Sequence, residues 1–77
     1  MRTTKGFRVV KSTYYFNNIT DFGHKEEELA MFDNLTDAQW FCEDHLEEYV
    51  KNDRECLEIE QCFNEDNIVY VRESYSL

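Results

Sequence analysis

The sequence predicts an α+β fold, a four-stranded antiparallel sheet with one helix packed on one face and elements in the order strand, strand, helix, strand, strand. Three observations predict it. Segments at both ends are dense in β-branched and aromatic residues, a central segment repeats apolar positions at helical spacing, and polar turn-forming residues separate the members of each strand pair. The 77 residues leave room for one domain and one core, and 42% hydrophobic with 16% aromatic residues supplies the apolar material to build it. There is no proline and glycine occurs only at Gly6 and Gly23, so no linker, repeat or low-complexity segment divides the chain.

The first strand is expected over 7–16, where Phe7, Val9, Thr13 and Tyr15 share one face. Asn17 to His24 reads as a turn containing Asn17-Asn18 and Gly23, returning the chain into a short second strand over 28–32. The helix is expected over 37–51. Thr36-Asp37-Ala38-Gln39 has the capping-box form, with Leu35 and Trp40 at the staple positions, and Ala38, Phe41, Cys42, His45, Leu46 and Tyr49 make one apolar stripe. Asp37 and Lys51 sit at the dipole ends that favour them, and Asn52-Asp53 marks a stop. The third strand, 56–63, puts Leu57, Ile59 and Phe63 on one face and Glu58 and Glu60 on the other. Asn64 to Asn67 turns the chain into a fourth strand over 68–73.

Charge narrows the function classes. Seventeen carboxylates against eight Lys and Arg give a net charge of -9, which disfavours direct nucleic-acid binding, because that affinity rests on cations neutralising phosphates. The excess is segregated. Residues 1–25 hold five cations against Asp21 alone, a net +4, whereas residues 26–77 hold three cations against sixteen carboxylates, a net -13. Such asymmetry commonly marks an interaction surface, with solubility as the competing explanation.

No segment has the length of a signal-peptide core or a membrane span, so the cytosol is the expected compartment and no membrane partner is expected. Cys42, Cys56 and Cys62 lack zinc-finger or redox spacing and read as reduced core or sub-surface residues. The sequons at Asn18 and Asn34 need a secretory route that the sequence does not indicate.

Catalytic and metal signals are weak. Cys42 and His45 lie three apart on the expected helix, but both fall on its apolar stripe, which favours packing over a nucleophile and base. Carboxylate pairs are expected by chance at this density, and no phosphate loop occurs. Asn64 to Asn67 lacks the alternating ligands and glycine of a calcium loop. The expectation is a non-enzymatic protein with no cofactor and no metal.

The acidic surface has a regular geometry. Glu43 and Glu47 stand one helical turn apart, roughly 6 Å along the axis, with Asp44 and Glu48 beside them. Glu58 and Glu60 repeat at roughly 6.6 to 6.8 Å on a strand, and Glu65 and Asp66 extend this second patch. Carboxylates at such spacing on rigid elements imitate a row of backbone phosphates. Trp40 points away from the apolar stripe toward Glu43, Asp44 and Glu47, as a staple folded back on Leu35 or as an exposed anchor in an acidic field. Tyr14, Tyr15, Tyr70 and Tyr75 are candidates for the uncovered sheet face.

The strand, turn and helix from Glu28 to Phe41, ELAMFDNLTDAQWF, in a short acidic chain resembles small bacteriophage accessory proteins. That family includes anti-CRISPR and anti-restriction inhibitors. The resemblance implies an inhibitor acting in the host cytoplasm on the nucleic-acid groove of a host defence protein or ribonucleoprotein complex. The residues expected to meet such a partner are Trp40, Glu43, Asp44, Glu47, Glu48, Glu58, Glu60, Glu65 and Asp66. The alternative is a generic interaction module working through a sheet edge or exposed aromatic face, with a homodimer as one form.

Overall fold

A computed structural model of the chain describes residues 3–16, 22–65 and 69–77, with the side chains of Phe16 and Phe22 excepted. Its elements are β1 (Thr4–Phe16), β2 (Phe22–Phe32), α1 (Leu35–Tyr49), β3 (Glu55–Phe63) and β4 (Val69–Tyr75). They form one antiparallel sheet in the order β2-β1-β3-β4, with the helix on one face, so the α+β expectation holds. Asp66 and Ile68, parts of the expected second turn and fourth strand, lie outside the described residues, as do 17–21 of the first turn.

Antiparallel pairing of β1 with both neighbours makes it the structural spine. Its odd-numbered residues face the helix: Val9 joins Leu57, Ile59, Ala38, Cys42 and Val50 in the core, and Phe7, Leu29, Phe32, Leu35, Phe41, Leu46, Tyr49 and Tyr75 pack around them. Burying those fully enclosed aliphatic side chains is worth about 1.5–3 kcal/mol each, which makes this small cluster the main source of stability. The even-numbered residues Arg8, Val10, Ser12 and Tyr14 face the other way, beside Glu60, Glu58 and Cys56 of β3.

Two irregularities decide which face the outer strands present. On β2, Val9 pairs with Ala30 and Val10 with Glu28, leaving Leu29 as the extra residue. The bulge lets Leu29, Ala30 and Phe32 all serve the helix side while turning Glu28, Glu26 and His24 to the open face. On β4, Ile59 pairs with Glu73 and Glu60 with Val71, so Arg72 is the extra residue and the side-chain parity switches again. Tyr75 consequently packs on the helix side rather than on the uncovered face where it was expected.

The second strand begins at Phe22, six residues before its expected start. Gly23 is therefore a strand residue paired with Tyr15, and a Cβ there would lie 2.3 Å from the Tyr15 ring. Its glycine makes room for an aromatic rather than permitting a turn.

The helix start also differs from expectation. Asn34, not Thr36, is the N-cap: its Oδ1 accepts from the Asp37 N–H at 2.9 Å and its Nδ2 donates to Asp37 Oδ2 at 3.1 Å. The helix thus starts at Leu35, which packs on the core, and no Thr36–Gln39 box forms. Gln39 instead donates to Glu73 of β4 at 2.6 Å, tying the helix to the far edge strand. The helix ends at Tyr49, with Val50 N–H donating to Leu46 O at 2.8 Å; Lys51 lies beyond it but its Nζ reaches the Glu47 carbonyl at 2.7 Å.

Candidate interaction surface

The antiparallel pairing of β1 with β3 resolves much of the charge asymmetry seen along the chain. Arg8 donates from Nε and Nη2 to Glu60 Oε1 at 2.8 and 2.5 Å, and Lys11 Nζ sits 3.0 Å from Glu55 Oε2. Cations of the basic first strand thereby meet carboxylates of the acidic second hairpin. Glu55 also accepts from the Lys51 N–H, and that bond together with Lys11 holds its carboxyl below the usual range. Among the described residues no Lys or Arg pairs with a helix carboxylate.

Trp40 is 63% exposed, so it is a surface aromatic and not a staple. Glu43, Asp44, Glu47 and Glu48 are exposed on the same helix. Among the described residues no cation pairs with Glu43, Asp44 or Glu47, while Glu48 Oε2 meets His45 Nδ1 at 2.6 Å. Trp40 to Asp44, and Asp44 to Glu48, are one turn apart, and Glu43 to Glu47 runs parallel. The aromatic and four carboxylates form one continuous ridge.

Glu58 and Glu60 lie elsewhere. They occupy the open sheet face, opposite the helix, and therefore do not extend the helix array. Glu60 is only 4% exposed and is spent on Arg8. The Glu65 carboxylate accepts from the Thr3 N–H at 3.0 and 2.9 Å, fastening the start of the chain beside the end of β3. Alternation along β3 separates these faces, but charge counting merges them.

The thiol at Cys42 is fully buried in the core, and burial pushes it up to about 11. It is therefore protonated and shielded from solvent, the opposite of an activated nucleophile. His45 lies at the margin of the apolar stripe, its ring 4.5 Å from Phe41, and its Nδ1 is engaged by Glu48. All three cysteines are free, with Cys42 and Cys62 buried and Cys56 half-buried.

One cluster could not be read from sequence spacing. His24 and Glu26 of β2 and Glu58 of β3 converge over Ser12 of β1, one ligand atom from each lying within 4.8 Å of the others. The His24 ring stacks on Tyr14 at 4.5 Å and 7°, and Ser12 Oγ, fully buried, donates to Glu58. The nearby Glu58 charge raises the Tyr14 phenol above its ordinary value. His24 and Glu58 lie 34 positions apart in the sequence, and the β2 bulge sets which face His24 takes.

Comparison with protein-family models, curated proteins and solved structures finds no match. Among the described residues no helix is long and apolar enough to cross a membrane.

Proposed function

We propose that the protein is a non-enzymatic inhibitor that docks the α1 ridge into a basic nucleic-acid-binding groove of a host defence protein or ribonucleoprotein complex, as the phage-protein resemblance implies. The observation that carries this reading is the exposed Trp40 set among Glu43, Asp44, Glu47 and Glu48 on a helix that carries no Lys or Arg. Solubility is a poor explanation for that placement. Glu47 and Glu48 stand in the last turn, where the helix dipole disfavours anions by about 0.3–1 kcal/mol each, and Glu43 repels Glu47 by about 0.2–0.5 kcal/mol. The same carboxylates placed in the first turn would keep the chain soluble and stabilise the helix.

In this reading the ridge imitates phosphates and steers association, while Trp40 supplies the apolar anchor. Glu58, Glu60 and Glu65 serve the fold and the opposite face. Reversing Glu43, Glu47 and Glu48 to Lys abolishes capture of the partner from a bacterial lysate, and wild-type capture falls steeply between low and high salt. Capture indifferent to both overturns the proposal.

A second reading has one observation in its favour. β4 is an edge strand with Val69, Tyr70 and Val71 exposed, a surface suited to pairing with a second copy. Light scattering decides it: a mass that stays at one chain across concentrations removes the homodimer.

A further inference from the structure

We infer that His24, Glu26 and Glu58 form a divalent transition-metal site, suited to Zn2+, on the open face of the sheet. The site goes beyond the helix ridge and does not depend on it. Its donors are one imidazole and two carboxylates, a set that suits zinc, with the fourth position left to water because His24 and Glu26 are exposed.

The sheet places these donors by three separate features. His24 and Glu26 are two residues apart on β2, so they share a face, and the Leu29 bulge makes that the open face. Glu58 reaches in from β3, on the far side of β1. Ser12 lies between them, paired with Glu26 in the register and fully buried, and a side chain this small leaves the space in which the three meet. A larger residue there would keep the β2 and β3 side chains apart.

One pair of ligand atoms already lies close to the separation a metal requires, and all three lie within 4.8 Å of one another. His24 Nε2 is 3.6 Å from Glu26 Oε1, against about 3.4 Å between neighbouring ligands of a tetrahedral zinc. The remaining closure is within the reach of rotating carboxylate ends. Two supporting contacts hold the donors in place: the Tyr14 ring fixes the plane of the imidazole, and the Ser12 hydroxyl orients Glu58. Hydrogen-bonded carboxylates of this kind are what metal sites use to tune their ligands.

The test is calorimetric titration of the full chain with ZnCl2 at physiological salt, alongside NMR of the imidazole nitrogens. The expected result is one ion per chain, a shift of the His24 Nε2 resonance on binding, and affinity weakened about tenfold or more by His24→Ala and by Glu58→Gln. Asp33→Asn, an exposed carboxylate beyond the far end of β2, serves as the control and leaves the affinity within about twofold. Far-UV circular dichroism of each variant separates lost binding from lost fold, and the wild-type NMR readout stands without any variant. No binding, no movement of the His24 resonance, or equal weakening by Asp33→Asn and Glu58→Gln overturns the inference.

Discussion

Arg8 and Glu60 face each other across β1 and β3 in an ion pair with two hydrogen bonds to one carboxylate oxygen, and Glu60 is almost fully enclosed. The pair joins the basic start of the chain to its acidic end at the centre of the sheet. Arg8→Ala leaves the enclosed carboxylate without its partner and is expected to cost about 1–3 kcal/mol, below the full buried-pair value because Arg8 is itself one-third exposed. The double replacement Arg8→Met with Glu60→Leu recovers most of that loss. Urea denaturation checks both, and a single variant as stable as wild type would show that the pair contributes little.

The helix cap makes a sharper distinction. Asn34→Ala should destabilise the protein by about 1 kcal/mol, since its side chain satisfies the Asp37 N–H, whereas Thr36→Ala should change stability by less than about 0.5 kcal/mol. Thermal melts of the two variants compare them directly. The reverse order would restore the Thr36–Gln39 box.

Element order, the helical stripe and the alternation of the third strand were all legible in the sequence, because each rests on a local period. What was hidden depends on partners distant in the chain. Leu29 and Arg72 are ordinary residues for a strand, and only pairing with β1 and β3 makes them bulges that reverse the faces of Glu28 and Tyr75. Asn34 and Thr36 are both good caps; packing of Leu35 on the core favours the earlier one. The helix ridge was visible from spacing alone, but its isolation from Glu58 and Glu60 was not, because charge runs carry no information about which sheet face they occupy.

Alkaline pH should expose the burial of Cys42. The fold raises its thiol from 9.0 to about 11, and burial, followed by the hydrogen bond to Glu73, raises Tyr75 as well. Because the folded state holds these protons more tightly, their contribution is complete below about pH 9 and is lost as pH rises through the folded values. The urea midpoint is expected to fall between about pH 9 and pH 11, and less steeply in Cys42→Ala. Equal slopes in the two proteins would contradict the assignment.

The helix ridge should be a stability cost. Glu47→Gln removes an unpaired anion from the negative end of the helix and is expected to stabilise the free protein by about 0.3–1 kcal/mol. Trp40→Ala, at an exposed position, should alter stability by less than about 0.5 kcal/mol and still weaken partner capture. Chemical denaturation of both variants beside capture measurements tests whether binding and stability are opposed at these positions.

In the proposed function the ridge of Trp40, Glu43, Asp44, Glu47 and Glu48 occupies a groove built for nucleic acid. The most direct measurement is competition: the immobilised protein is loaded with its partner from a bacterial lysate, and release by duplex DNA or RNA is compared with release by an uncharged polymer. Nucleic acid is expected to release the partner, and the Glu43→Lys, Glu47→Lys, Glu48→Lys variant to capture none. A complex that nucleic acid does not displace, or that the variant still forms, would contradict it.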